Sequence, residues 1–264
     1  MNRIVSDIDW EELSESFLKA KPFNYVVIDD FFLPEIANKI SEQFPPYEDD
    51  CWYAHDNVVE VKKLVNHWDR FPPETYQAFI YLNSNEFLLN LNKLSKVSPI
   101  YPDIGLNGGG WHIHNNVGKL NIHKDYAIHP KLGLWRKMNL IVYMSKLWKP
   151  EWGGALELWS NDKVNKKPLK KEKTLNVKFN RAVLFDTTQN SWHGLPEEMR
   201  APDGHFRKSI ALYYLTDPTK ASESHKRALF TTSEKQVGNQ EVEEFIKNRV
   251  AWKEGKIYFS KDNK

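Results

Sequence analysis

The strongest constraint on the fold comes from the second part of the sequence. From about Ser98 onward, short segments rich in branched and aromatic residues alternate with turn residues. Six of these strand-like segments are 119–122, 137–144, 155–159, 176–177, 182–185 and 209–215. Parallel strands need long crossover connections, usually helices, and no helical pattern lies between these segments. The pattern therefore predicts an antiparallel sandwich or barrel as the core of the protein.

The first third of the sequence predicts helices that support this core. Asp9 is a candidate N-cap for a first helix, and Pro34 is suited to the first turn of a second helix. A short buried strand is predicted between them, at residues 25–28. A further block with helical spacing follows Pro73 and continues to Leu94. We therefore expect a mainly helical part before the strands begin.

The last part of the sequence is polar after Asp217 and contains one amphipathic helix, which we expect to pack back onto the core. The apolar residues of this helix are Val242, Phe245, Ile246 and Val250. Because the sequence has no internal repeat and no hinge-like linker, we expect a single domain over residues 1–264. Its parts are 1–97 (helical support), 98–217 (β core) and 218–264 (extension with the helix). The predicted fold class is mainly β with flanking helices (α+β).

Composition excludes several classes of protein. The 264 residues include 37 basic and 35 acidic side chains, a balance that gives no electrostatic basis for binding nucleic acid. The single cysteine, Cys51, excludes a disulfide scaffold and a cysteine-based zinc cluster. We find no secretion signal in residues 1–20 and no apolar run of about 18 residues, so we expect a cytoplasmic protein without a membrane partner. Residues 163–173 contain six lysines and no aromatic residue, which is typical of a solvated loop.

His123 and Asp125 stand at alternate positions of a strand-like segment and should project from the same face. By itself, such a pair is more often a hydrogen-bonded surface pair than a metal site. His193, which follows the segment 182–185, is the candidate for a third ligand. Two imidazoles and one carboxylate, with open positions left over, are the ligands of non-haem Fe(II) oxygenases. These three residues therefore indicate a ferrous iron site.

Arg207 and Ser209 open the last strand-like segment and again share one face. A guanidinium can bind a carboxylate through two parallel hydrogen bonds, and a hydroxyl two residues away can donate to the same group. Together with the candidate metal ligands, these residues predict a small acid held against the metal.

Residues 22–216 resemble the Fe(II)- and 2-oxoglutarate-dependent dioxygenases, specifically the prolyl 4-hydroxylase-like branch. The motifs that carry the resemblance are His123-Lys124-Asp125, residues 139–148, residues 153–158, His193 and Arg207-Lys208-Ser209. The resemblance implies that His123, Asp125 and His193 are the iron ligands. It also implies that Arg207, Tyr143 and Ser209 bind the far carboxylate of 2-oxoglutarate. The gap between His193 and Arg207 is longer than usual in this branch.

The resemblance further implies a double-stranded β-helix, or jelly roll, and an oxidative reaction. The cofactors would be Fe(II), 2-oxoglutarate as cosubstrate and O2, with ascorbate as a reductant. The reaction would hydroxylate a substrate carbon and decarboxylate 2-oxoglutarate to succinate. The leading substrate is a prolyl residue in a protein or peptide. The alternatives are a free amino acid or other small metabolite, and a metal-binding jelly roll without turnover.

Six further residues are candidates for the substrate pocket, because they flank the predicted ligands or share a strand face with them. They are Asn121, Asn139, Tyr126, His112, His114 and Trp192. Packing in the core is the alternative for each of them.

Overall fold

The computed structural model describes residues 3–220, 222–223 and 225–251, so the end of the predicted C-terminal extension lies outside the described residues. The helices are α1 (Trp10–Lys19), α2 (Pro34–Glu42), α3 (Pro73–Leu82), α4 (Asn85–Ser95) and α5 (Gln240–Ala251). The strands are β1 (Tyr25–Ile28), β2 (Tyr53–Asn57), β3 (Glu60–Val65), β4 (Tyr101–Pro102), β5 (Gly110–His114), β6 (Lys119–Lys124), β7 (Trp135–Tyr143), β8 (Leu156–Asn161), β9 (Pro168–Leu175), β10 (Ala182–Asp186), β11 (Trp192–Leu195), β12 (Arg207–Thr216) and β13 (Leu229–Phe230). Among these helices, none is long and apolar enough to cross a membrane.

The strands form one antiparallel sheet that curls into a half-barrel. Its order is β1-β10-β7-β12-β5-β3-β6-β11-β8-β9, with β2 paired to β3, β4 to β12 and β13 to β6. The central strands β7 and β12 pair along most of their length. The predicted fold class, mainly antiparallel β with flanking helices, is confirmed.

Helices α1 to α4 cover one face of the sheet and build the main hydrophobic core with it. Asp9 caps α1 by accepting hydrogen bonds from the backbone N–H groups of Glu11 and Glu12. The buried ring of Phe87 on α4 contacts Tyr214 of β12, with ring centroids 6.0 Å apart. Burying a side chain of this size contributes roughly 2 kcal/mol to folding. This packing fixes the sheet against the helices and leaves its other face free for chemistry.

The alternation of side chains along β5 separates the core from the site. Trp111 and Ile113 are buried in the core that the helices cover. His112 and His114 point to the opposite face and line a cavity. Strand β12, which is paired to β5, alternates in the same way, so residues of both strands reach the cavity together.

Three local predictions differ from the structure. Residues 53–65, in the part predicted as mainly helical, form the hairpin of β2 and β3. Residues 176–177 follow the end of β9 instead of forming a strand of their own. The lysine-rich segment 163–173 is a loop only up to residue 167, because β9 begins at Pro168 and pairs with β8 at the end of the sheet order. Its lysines are exposed, as predicted, and charged side chains on an edge strand give the same sequence pattern as a loop.

Candidate active site

Strands β6 and β11 bring the predicted metal ligands together. The two strands pair antiparallel with His193 directly opposite His123, and Asp125 follows the end of β6. The Nε2 atoms of His123 and His193 lie 3.8 and 3.7 Å from the two carboxylate oxygens of Asp125. All three side chains are buried, and one ligand atom from each lies within 4.8 Å of the others. This donor set fits a metal ion that takes imidazole and carboxylate ligands.

Backbone carbonyls fix the orientation of both imidazole rings. The Nδ1 atom of His123 lies 2.9 Å from the carbonyl oxygen of Asn121, and that of His193 lies 2.8 Å from the carbonyl oxygen of Ser191. A carbonyl oxygen can only accept, so each Nδ1 carries the proton and donates. The lone pair of each Nε2 is therefore left for a metal ion, as in metal sites where a second hydrogen bond sets the tautomer.

The charge states of these side chains also suit a metal. Burial alone would raise the pKa of Asp125, but the neighbouring His123, His193 and Arg136 lower it more, so its pKa lies below the ordinary value. Burial, together with the nearby His123, lowers the pKa of His193 to about 4. At neutral pH the site therefore offers an ionised carboxylate and a neutral imidazole, which are the forms that bind metal ions.

Arg136 supports Asp125 from β7, a role that the sequence did not reveal. Its guanidinium is sandwiched between the rings of Tyr126 and Tyr213, 3.2 and 3.4 Å from the two ring centroids. It donates to the carbonyl oxygen of Asn107 at 2.7 Å, and its Nη1 lies 3.5 Å from Asp125. The Tyr213 hydroxyl donates to the same carboxylate at 3.3 Å. These contacts hold Asp125 in one position.

Arg207 and Tyr143 form a second buried polar group. The Nε of Arg207 donates to the carbonyl oxygen of Gly154 at 2.8 Å, and its guanidinium lies 4.8 Å from the centroid of the Tyr143 ring. Gly154 has φ +74°, and a Cβ there would lie 2.9 Å from Arg207 Cδ, so only glycine allows this contact. The Tyr143 hydroxyl is buried and has no hydrogen-bond partner among the described residues. An unpartnered hydroxyl beside a buried guanidinium fits an anionic ligand such as a carboxylate.

A cavity of about 190 Å³ contains the triad and Arg207. The sequence-predicted residues that line it are His112, His114, His123, Asp125, Tyr126, Asn139, His193, Arg207 and Ser209. The amide of Asn139 donates to Asp125 at 3.5 Å. Burial lowers the pKa of His112 to about 3 and that of His114 well below its ordinary value, so both rings are neutral.

Three predicted site residues are not among those that line this cavity: Asn121, Trp192 and Tyr143, whose ring lies beside the Arg207 guanidinium. The Asn121 amide donates to the carbonyl oxygen of Thr231 at 2.9 Å and to the side chain of Gln236 at 2.6 Å. The reason is a bulge in β6: His123 pairs with His193, but Leu120 pairs with Leu195, so β6 carries one extra residue. Leu120, instead of Asn121, therefore lines the cavity.

Trp192 has its own partner away from the cavity. Its indole N–H donates to the side-chain oxygen of Asn161 at 2.9 Å. It is buried where β11 pairs with β8, and its register partner there is Trp159.

Strands β2, β3 and β13 and helix α5 contribute cavity residues that were not predicted from the sequence. His55, Glu60, Lys62 and Leu64 line the cavity from the hairpin of β2 and β3. Phe230 of β13 stacks on His123 with ring centroids 5.0 Å apart, and Arg249 of α5 lines the cavity as well. Glu60, Lys62 and Leu64 face the cavity together, but polar and apolar residues do not alternate along residues 60–65, so the sequence contains no period-two indication of β3.

Residues 110–215 match the family model described as the 2OG-Fe(II) oxygenase superfamily. A search of curated proteins finds no match. The matched segment begins with β5 and ends within β12, so it contains the triad, Tyr143 and Arg207.

Solved structures with a similar fold include several prolyl hydroxylases. A Pseudomonas putida prolyl-4-hydroxylase superposes with a TM-score of 0.55 at 12% identity, covering 80% of this chain and 100% of that chain. A Trichoplax adhaerens prolyl hydroxylase, solved with a hypoxia inducible factor peptide fragment, superposes with a TM-score of 0.55 at 15% identity, covering 80% of this chain and 94% of that chain. A Phytophthora capsici prolyl 4-hydroxylase superposes with a TM-score of 0.52 at 18% identity, covering 94% of this chain and 80% of that chain. These similarities confirm the jelly-roll fold.

Proposed function

We propose that this protein, whose residues 110–215 match the model of the 2OG-Fe(II) oxygenase superfamily, hydroxylates a carbon atom of its substrate while 2-oxoglutarate is decarboxylated to succinate. The observation that carries the proposal is the buried group of His123, Asp125 and His193 in one cavity with Arg207. A module that only binds metal has no need for a buried guanidinium beside the metal ligands.

In this proposal, His123, Asp125 and His193 hold the Fe(II) ion. When bound, Fe(II) supplies the redox chemistry that couples O2 and 2-oxoglutarate to oxidation of a substrate C–H bond. The protein contributes two imidazoles that present unprotonated Nε2 atoms and one carboxylate that Arg136 and Tyr213 hold in place. The rigid surroundings keep these three donors aligned before the ion binds.

Arg207, Tyr143 and Ser209 hold the carboxylate of 2-oxoglutarate that lies far from the metal. Because the Nε of Arg207 donates to the carbonyl oxygen of Gly154, the two terminal nitrogens of the guanidinium remain for a bidentate pair of hydrogen bonds to a carboxylate. The unpartnered hydroxyl of Tyr143 would donate to the same carboxylate. Burial makes these hydrogen bonds stronger than they would be in water.

The substrate that we propose first is a prolyl residue in a protein or peptide. The support is the likeness of the fold to the prolyl hydroxylases from Pseudomonas putida and Trichoplax adhaerens, the second of which binds a peptide fragment. The second candidate is a free amino acid or another small metabolite. The charged side chains of Glu60, Lys62 and Arg249 in the cavity wall favour this candidate, since they suit a small polar molecule.

The test is an anaerobic titration of the purified protein with Fe(II) and 2-oxoglutarate. We expect a weak visible charge-transfer band, followed by succinate when air is admitted. His123→Ala and His193→Ala should abolish both, whereas His205→Ala, which changes an exposed histidine, should abolish neither. Full succinate formation by His193→Ala would refute the assignment of the ligands.

Mass spectrometry then separates the two substrate candidates. A prolyl substrate predicts the gain of one oxygen atom at proline in a peptide. Hydroxylation of free amino acids without any reaction on peptides would favour the second candidate.

A further inference from the structure

A charged cluster on β3 and α5 forms a part of the cavity wall that the proposed chemistry does not use. Glu60 and Lys62 stand at alternate positions of β3 and both line the cavity, and Arg249 reaches it from α5. Arg249 Nη1 lies 3.1 Å from one carboxylate oxygen of Glu60, and Lys62 Nζ lies 3.4 Å from the other. Two cations therefore converge on a single carboxylate inside the cavity.

The charges of this cluster do not balance. Glu60 is the acid paired with both cations, and its side chain is only 3% exposed, against 14% for Lys62 and 25% for Arg249. One positive charge is left in a largely buried place, where charges without a partner are costly. In addition, Arg249 Nε is buried without a hydrogen-bond partner among the described residues. The cluster therefore has the charge and the free donor to take an anion.

The rest of the cavity does not supply that anion. A bound Fe(II) ion and a 2-oxoglutarate dianion would cancel each other's charge, and Asp125 is balanced by Arg136, which lies 3.5 Å away. The positive charge of Arg207 is then left without a balancing negative charge. The cavity with Fe(II) and 2-oxoglutarate bound would therefore carry a net positive charge. An additional anionic group would be favoured inside it.

The cluster is also linked to the candidate metal centre. The Arg249 guanidinium lies 4.7 Å from the centroid of the Phe230 ring, and Phe230 stacks on His123. Helix α5 is anchored there by Val242, which is buried in a small apolar cluster with Phe230. A group bound by Arg249 would thus lie on the same side of the cavity as the metal ligands.

We propose that Lys62 and Arg249 bind a carboxylate group of the substrate, with Glu60 as the positioning residue that holds the two cations together. This inference rests on the proposed function and specifies the class of substrate. The carboxylate could belong to a free amino acid or to an acidic side chain next to the hydroxylated residue of a peptide. Both sources offer the same two oxygen atoms to the two cations.

The experiment compares carboxylates with matched amides. Calorimetry without oxygen measures binding to the protein loaded with Ni(II) and 2-oxoglutarate. One series contains free L-amino acids and their amides, and the other contains proline peptides with glutamate or glutamine beside proline. We expect the carboxylate member to bind roughly tenfold more tightly or better in one series, since hydrogen bonds between charged groups are strong. The series that gives the preference identifies the source of the carboxylate.

Variants assign the preference to the cluster. Lys62→Gln and Arg249→Gln should each remove most of the preference, and Arg249→Lys should retain a part of it. Lys247→Gln removes a charge from an exposed position of α5 and should retain all of it. The absence of a carboxylate preference in both series would overturn the inference, as would a preference that persists in both glutamine variants.

Failure of the proposed function gives a different result. In that case the wild-type protein forms no charge-transfer band with Fe(II) and 2-oxoglutarate and makes no succinate. The preference for carboxylates over amides is measured by calorimetry without turnover, so the two proposals are tested by separate measurements.

Discussion

The hydroxyl of Tyr143 is buried beside Arg207 and has no hydrogen-bond partner among the described residues. A buried donor without a partner costs free energy of folding, so Tyr143→Phe should leave the metal-free protein as stable as the wild type or up to about 1 kcal/mol more stable. The same substitution removes a donor to 2-oxoglutarate and should raise its dissociation constant roughly tenfold. Scanning calorimetry and a titration of the charge-transfer band measure the two effects.

Weaker binding of 2-oxoglutarate without a loss of stability distinguishes a ligand-binding role of Tyr143 from a packing role. If Tyr143 only packs in the core, Tyr143→Phe should leave the affinity for 2-oxoglutarate unchanged. Phe23→Leu, a substitution in the apolar cluster that contains Tyr143, is the matched control. It should lower stability without a specific effect on 2-oxoglutarate.

Among single residues, those with distinctive chemistry were predictable from the sequence. His123, Asp125 and Arg207 were predicted because several motifs occur in the order and spacing of a known family, and the structure brings the three residues into one cavity. Asn121 was misplaced because simple alternation along β6 was assumed, whereas the strand contains a bulge. A bulge depends on the partner strand, and the local sequence does not specify it.

At the level of elements, the same bulge makes Gly194 essential to the site. A Cβ at Gly194 would lie 2.7 Å from the carbonyl oxygen of Leu120 and 2.8 Å from that of Asn121. Both atoms belong to the backbone, so β6 and β11 would have to separate. Gly194→Ala should therefore displace His193 from His123, weaken Fe(II) binding at least tenfold and cost about 2 kcal/mol of stability.

The control for this prediction is a glycine with space around it. Gly204→Ala has no atom within 4 Å of the added Cβ, although its positive φ of +82° adds some strain. It should leave Fe(II) binding unchanged. Equal loss of Fe(II) binding in both variants, measured by anaerobic titration, would show that the close approach at Gly194 is unimportant.

The hairpin of β2 and β3 was the element that was not predicted from the sequence. Glu60 and Lys62 look like the solvated side of an amphipathic segment, but they face a polar cavity. Binary patterns of polar and apolar residues assume that polar side chains face water. A polar active site breaks this assumption, so the elements that line it are the hardest to predict.

Helix α1 offers a test of an element that supports the fold away from the cavity. Asp9 accepts hydrogen bonds from two N–H groups of the first turn, and α1 packs on α4 through Trp10 and Phe87. Asp9→Ala should cost about 1 kcal/mol of stability and lower Tm by roughly 2–4 °C. Asp9→Asn keeps a capping oxygen and should recover most of the loss. An effect of Asp9→Ala on the affinity for 2-oxoglutarate would contradict this separation of scaffold and site.

At the scale of the whole molecule, the sheet divides an apolar layer from a polar cavity. One face is packed against helices, and the other carries the ionisable side chains of the candidate site. The apolar side follows from hydrophobic patterning, so fold class was predictable. The side chains of the polar face serve to bind ligands. In the ligand-free protein, this face contains several neutral histidines and charged groups that lower the stability of the protein in acid.

The last prediction concerns this sensitivity to acid. The unfolded chain binds a proton at His112 with an ordinary pKa near 6.5, but burial lowers the pKa in the folded protein to about 3. Between these values the unfolded state binds more protons, so the free energy of unfolding falls as pH falls. Each such histidine contributes about 1.4 kcal/mol per pH unit. His114 contributes in the same direction, because burial lowers its pKa too.

His112→Gln removes one titrating group while keeping a polar side chain at that position. For the metal-free protein, the slope of unfolding free energy against pH between 4.5 and 5.5 should decrease by about 1.4 kcal/mol per pH unit. Above pH 7.5 both proteins should have the same slope, since the histidine is neutral in both states there. Urea denaturation at a series of pH values gives both slopes. Identical slopes at low pH would mean that His112 binds its proton equally well in the folded protein, which its burial beside Arg207 and Lys62 opposes.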